Sequence, residues 1–209
     1  NTKGCKEHRM EKVFWATELY DFLRYCDESP LTKDVLDCGA GGWDTTLSLF
    51  YKYGFRTFGI EIAEHRLMKA LDFCAENDLH LNIIRGDMRS IPFPNESFSF
   101  AYAYNAIYFM NKPDILIAMK EITRVLKHCG LCYVNFLLVD DTETWEPFDK
   151  NAAARKLLKS EGFAHFEDNE ADMFFDDFDV LRKVKKWRDS LVKCRISRRV
   201  EVEYIARKK

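Results

Sequence analysis

Long apolar runs are missing from this chain. No stretch of about 18 apolar residues occurs, which excludes a membrane-spanning helix as an expectation. The opening residues, Asn1 to Lys6, hold no apolar core of the kind a secretion signal needs, so a cytoplasmic location is expected. Net charge is nearly absent at −2 and by itself points to no class of partner. Cys129-Gly130-Leu131-Cys132 has no second Cys pair at zinc-site spacing, and Cys132 opens an apolar run rather than a helix. A metal or redox role is therefore not expected. The seven cysteines are odd in number and scattered, which fits reduced thiols rather than a disulfide framework. Glycine is scarce too, nine in 209 residues, yet three of the nine are Gly39, Gly41 and Gly42.

That cluster is the most informative feature. The apolar run Val35-Leu36 leads into Asp37-Cys38-Gly39-Ala40-Gly41, and an amphipathic run follows. A second apolar run, Phe55 to Ile60, ends in Glu61. Without Cβ atoms, Gly39 and Gly41 can turn tightly and let a ligand approach the backbone. An acid at the tip of the neighbouring strand can accept hydrogen bonds from both hydroxyls of a ribose. The pairing predicts a nucleotide-like cofactor lying across two adjacent parallel strands.

The rest of the chain alternates. Helices are predicted over 11–25, 44–53, 64–77 and 114–126, and strands over 33–38, 56–61, 81–84, 97–103 and 131–139. Such alternation predicts a mostly parallel sheet covered on both faces. The last third differs. Residues 140–179 carry 13 acids and four bases, whereas 180–209 carry three acids and 12 bases. Short helices are expected over 152–160 and 169–176, followed by strand-like alternation over 179–187 and 198–207, which predicts an antiparallel hairpin. The basic hairpin lacks interleaved aromatics, so a solvated face paired with the preceding acids is expected and nucleic acid is not.

From about Val35 to Asp141, and less closely through the terminal hairpin, the chain resembles the class I S-adenosylmethionine-dependent methyltransferases of the small-molecule type. Asp37 to Gly41 is similar to the family's first motif, and Gly59-Ile60-Glu61-Ile62-Ala63 to its acidic second-strand motif. Arg85-Gly86-Asp87-Met88 resembles the end of the third strand. Ile91-Pro92-Phe93-Pro94-Asn95-Glu96-Ser97-Phe98 and Glu121 to Lys127 match two further signatures. The resemblance implies a Rossmann-like three-layer α/β sandwich with a seven-stranded sheet ending in an antiparallel hairpin. It implies one domain over 1–209, with an N-terminal helix near 7–28 and a substrate flap near 140–167.

It also implies S-adenosylmethionine as cofactor, methyl transfer to a small molecule, and roles by position. Gly39, Ala40 and Gly41 would line the methionine part of the cofactor, and Asp37 would lie near its ammonium group. Glu61 would bind the ribose, with Ile62 packing on the adenine. Asp87 would accept from the adenine amino group beside Met88. Tyr104 and Asn105 would border the methyl donor and the acceptor. His165 and Tyr108 are the candidates for a base, with a surface-loop histidine as the plainer account of His165. Trp145, Phe148, Phe163 and Phe166 would give the flap an apolar surface. Departures from the family are Ser99 where Asp is common, Tyr108-Phe109 where His is frequent, and His128-Cys129-Gly130 in place of Pro-Gly-Gly.

Competing readings remain. A nicotinamide-dependent oxidoreductase needs a third glycine where Asp44 stands. An RNA or protein methyltransferase and a non-catalytic cofactor-binding protein are the others. The sequence leaves acceptor and oligomeric state open.

Overall fold

Five consecutive buried residues, Asp34–Cys38, form β1, an interior strand of the sheet. The computed structural model describes residues 17–141, 163–192 and 195–209. Before β1 comes α1 (Thr17–Glu28); after it come α2 (Leu47–Lys52), β2 (Arg56–Glu61), α3 (Glu64–Glu76), β3 (Ile83–Arg85) and β4 (Phe98–Ala103). A 3-10 turn at Ile107–Phe109 leads to α4 (Lys112–Val125) and β5 (Leu126–Leu138). The chain continues with β6 (His165–Phe166), a 3-10 helix at Glu170–Phe175, β7 (Phe178–Val192) and β8 (Arg195–Lys208).

The main sheet path is β3-β2-β1-β4-β5-β8-β7, seven strands as expected, parallel from β3 to β5 and antiparallel through β8 and β7. One strand was not expected: β6 pairs with β5 off that path, Leu137 opposite His165 and Leu138 opposite Phe166. Between β1 and β4 the strand order reverses direction, and the carboxyl ends around such a switch point form a natural ligand crevice.

Two apolar clusters sandwich the sheet. Leu19, Phe22, Leu23 and Cys26 of α1 join Leu47, Leu49 and Phe50 of α2 and Leu67, Ala70 and Cys74 of α3 on one face. Ile115, Ala118, Met119, Ile122 and Val125 of α4 join Phe174 and Phe175 on the other. Strand alternation serves both, since Tyr133 of β5 faces the first cluster and Cys132 and Val134 the second. Each such Leu, Ile or Phe contributes about 1.5–3 kcal/mol by leaving water. Helix α4 starts where Asn111 Oδ1 accepts the Asp114 N–H at 2.8 Å, with Pro113 in its first turn.

The differences from expectation have local causes. Helical spacing in the predicted 64–77 helix puts Leu71 with Leu67, Ala70 and Cys74, but Leu71 is exposed, off the stripe those three form. Strand β5 begins at Leu126, and His128 to Gly130 forms an irregularity inside it rather than a turn before it. Leu126 pairs with Phe98 and Leu131 with Phe100, and Cys129 takes a left-handed φ of 61°. The hairpin is longer than predicted at both ends. Residues 11–16 of the first predicted helix, the 152–160 helix, Trp145, Phe148 and most of the expected flap lie outside the described residues. Among those described, no helix is long and apolar enough to cross a membrane.

Candidate cofactor site

After β1 the chain turns at Gly39, whose φ is +119°. The Gly39 and Ala40 N–H groups both donate to the Ile60 carbonyl, at 2.9 and 3.0 Å, which pins the turn to β2. A Cβ at Gly39 would sit 2.5 Å from the Ala106 Cβ. A Cβ at Gly41 would run into the Glu61 carboxylate. Gly39 is therefore required by both backbone conformation and space, and Gly41 by space alone.

Glu61 is only 5% exposed. Its Oε2 accepts the Gly41 N–H at 3.1 Å, and its Oε1 accepts the Ala63 N–H at 2.8 Å. Arg66 clamps the arrangement, with Nε 3.4 Å from Glu61 Oε2 and a second donor 2.9 Å from the Gly41 carbonyl. Asp37 is 2% exposed, and burial pushes its carboxyl up to about 7, against hydrogen bonds from Tyr102 and Thr46. Thr46 Oγ1 donates to Asp37 Oδ2 at 3.1 Å and lies 3.0 Å from the Tyr102 hydroxyl. A buried carboxyl poised near neutrality becomes an anion readily when a cation arrives.

At the third strand the Gly86 N–H donates to the Glu61 carbonyl at 3.1 Å, which brings Asp87 to the same edge. Asp87 Oδ2 is held in a fork by Arg89, at 3.0 Å from Nε and 2.6 Å from Nη2. Partial burial works against the Asp87 anion, but the Arg89 hydrogen bonds win and hold its carboxyl below the usual range. Arg89 also reaches Asp114 at 2.8 Å, tying this corner to the first turn of α4. Met88 packs against the cluster on the α4 face, and Ile62 is half-buried at the tip of β2.

Past β4, Asn105 takes a left-handed φ of 51°. Its Oδ1 accepts from Asn135 at 2.8 Å, Arg199 at 2.6 Å and Tyr108 at 3.3 Å. Its own N–H donates to Asn135 Oδ1 at 2.8 Å. Burial pushes the Tyr108 hydroxyl up to about 12, despite Arg199 beside it. Tyr104 donates to Glu18 at 3.4 Å.

The structure thus joins Asp37, Gly39, Ala40, Gly41, Glu61 and Asp87 along one edge, with Asn105 and Tyr108 next to it through Ala106. His165 is not in a surface loop. It sits half-buried in β6, and its Nδ1 lies 3.0 Å from the Phe163 carbonyl. Its ring makes no hydrogen bond to Asp37, Glu61 or Asp87 among the described residues. Sequence reasoning missed Thr46, Arg66, Arg89, Tyr102, Asn135 and Arg199. Only Arg66 carried a signal, one helical turn past the tip of β2.

Residues 35–130 match the methyltransferase domain family. The likeness to that family is thus carried by residues 35–130, which hold the glycine turn, Glu61 and Asp87. Demethylmenaquinone methyltransferase of Staphylococcus aureus is 32% identical to it over 94 residues, 45% of this chain and 38% of that one. The chain thus spans well under half the length of the curated relatives it matches. TehB from Haemophilus influenzae shares the fold, with a TM-score of 0.69 at 14% identity over 98% of this chain and 65% of that one. So does a SAM-dependent methyltransferase structure from Methanosarcina mazei, with a TM-score of 0.59 at 18% identity over 94% and 98% of the two chains.

Proposed function

We propose that this chain moves the methyl group of S-adenosylmethionine to a small-molecule acceptor. One observation carries the reading: the buried Glu61 carboxylate faces a glycine turn in which neither Gly39 nor Gly41 has room for a side chain. That arrangement suits a ribose whose two hydroxyls donate to the carboxylate. Asp37, with its carboxyl near 7, would face the cofactor's ammonium group. Asp87, fixed as an anion by Arg89, would accept from the adenine amino group, with Ile62 and Met88 flanking the ring. Tyr104 and Asn105 would border the acceptor.

Bound S-adenosylmethionine supplies an electrophilic methyl group on a sulfonium. What the protein contributes is then alignment and a shaped site. Asn105 suits that task, since its strained backbone and saturated carbonyl oxygen fix its amide plane. A small acceptor is favoured over nucleic acid because many hairpin cations are already matched. Lys183 pairs with Asp172, Lys185 with Asp168, Arg198 with Asp189 and Arg207 with Asp179. The demethylmenaquinone methyltransferase relative, by its name, acts on a small molecule too.

A thermal-shift comparison tests the cofactor. S-adenosylhomocysteine is expected to raise the melting temperature and NAD to leave it unchanged, since ligand at a hundred times its Kd stabilises by about 2.7 kcal/mol. The reverse result overturns the reading. Binding without methyl transfer to any acceptor in a fractionated small-molecule extract would instead indicate a non-catalytic cofactor-binding protein.

A further inference from the structure

Three carboxylates converge where α1 crosses the sheet. Glu18 comes from α1 and Glu201 and Glu203 from β8, and their oxygens all lie within 4.8 Å of one another. Tyr133 of β5 is fully buried and sits within the electrostatic reach of all three. Burial, and then the negative charges of Glu203, Glu201 and Glu18, push its ionisation up. Yet its hydroxyl has no hydrogen-bond partner among the described residues. Buried hydroxyls are ordinarily satisfied, and an unmet one destabilises a fold. Beside three carboxylates, an open donor and acceptor of this kind matches a group that carries positive charge and N–H donors.

The cluster adjoins the cofactor edge. Asn135 Nδ2 bridges Asn105 Oδ1 at 2.8 Å and Glu201 Oε2 at 2.9 Å. Tyr104, next to Asn105, donates to Glu18. Ala106 abuts Gly39. By formal charge the acids around the cluster outnumber the bases, and burial pushes the Glu203 carboxyl up. Lys186 lies 2.9 Å from Glu203 and 3.5 Å from Glu18, Arg199 lies 3.0 Å from Glu201, and Arg182 is shared between Glu203 at 3.4 Å and Asp21 at 3.1 Å. Among the described residues, four carboxylates thus meet three cations. Lys186 also shows what fits, since an alkylammonium already bridges two of the three acids and stands where a metal ion would need open ligands.

We infer that this cluster holds the protonated amino group of the methyl acceptor, which makes the acceptor a monocationic amine. The inference rests on the methyl-transfer reading above. The ammonium donates to the Tyr133 hydroxyl and to the carboxylates of Glu18 and Glu201. A protonated nitrogen has no lone pair, so it is a handle, and the methyl group goes to another atom of the same molecule.

Calorimetry on the full chain, with and without saturating S-adenosylhomocysteine, tests this with two matched pairs of probes: tyramine against 4-ethylphenol, and n-hexylamine against n-hexanol. At least one amine is expected to bind about tenfold or more tightly than its neutral counterpart. Glu18→Gln and Tyr133→Phe are expected to erase that preference, and Lys186→Ala to strengthen it. Tyr133→Phe should melt no lower than wild type, because it removes an unmet buried hydroxyl; this separates recognition from folding. Absence of preference in both pairs overturns the inference. So does a preference untouched by Tyr133→Phe, or stabilisation by Mg²⁺ or Zn²⁺ in place of amines. Failure of S-adenosylhomocysteine to bind sinks the methyl-donor reading instead, while the amine preference measured without it still decides the cluster.

Discussion

Gly41 and Glu61 share one small volume: the Gly41 N–H donates to the Glu61 carboxylate at 3.1 Å, and a side chain at 41 would occupy the space of that carboxylate. The first and second strands are locked at their tips by this contact. A substitution at either residue disturbs both the turn and whatever binds there.

Gly39→Val is expected to weaken S-adenosylhomocysteine binding at least about a hundredfold, which is about 2.7 kcal/mol. The new Cβ would meet Ala106 at 2.5 Å, and the φ of +119° disfavours a branched residue. Isothermal calorimetry checks it, with far-ultraviolet circular dichroism confirming that the fold survives. An affinity within threefold of wild type would remove the glycine turn from the site.

For Glu61→Ala the expected loss is about tenfold to a hundredfold, from hydrogen bonds to a charged group worth about 1.5–3 kcal/mol. The melting temperature falls too, because the Gly41 and Ala63 N–H groups lose their acceptor. Glu61→Gln, which keeps one oxygen, should recover part of the stability and less of the affinity. Unchanged affinity in Glu61→Ala removes the ribose assignment.

Asp37 makes both stability and binding depend on pH. Unfolded, its carboxyl titrates near 4, as ordinary aspartates do; folded, burial places it at about 7. Between those values the native chain holds a proton that the unfolded chain has lost. This contribution to stability is therefore complete below about pH 4 and gone above about pH 7. Cofactor affinity runs the other way, rising through pH 7 as the anion forms to face an ammonium group, by up to about tenfold per pH unit. Calorimetry from pH 5.5 to 8.5 reads this out, and Asp37→Asn should give a flat profile.

Arg89→Ala should lower cofactor affinity by about threefold to tenfold, because Asp87 loses the fork that fixes its carboxylate. Arg89→Lys should restore little, since an ammonium cannot supply the fork. Equal affinity in all three proteins would separate Asp87 from the adenine.

The sequence made legible what is local. Asp37 to Gly41 and Glu61 announce themselves because strand, turn and helix follow one another within about thirty residues, and the β1–β2 pairing adds a single crossover. Arg199 was invisible for the opposite reason. It meets Asn105 and Tyr108 across 94 and 91 residues, through a strand order that no local pattern encodes. Asn135 reads as one polar interruption in an apolar strand until β8 sets Glu203 opposite it. His165 looked like a loop residue because a two-residue strand has no periodicity to detect.

The short strand β6 has a consequence for how such a chain diversifies. Leu137 and Leu138 pair with His165 and Phe166, the Val139 N–H donates to the Phe166 carbonyl at 3.0 Å, and the Ala164 N–H donates to the Tyr108 carbonyl at 2.8 Å. Val139 and Ala164 are therefore both fastened to the scaffold by backbone hydrogen bonds. Changes elsewhere that spare these contacts are expected to leave the sheet register intact. Such changes would alter what surrounds the site while the glycine turn and Glu61 keep their contacts.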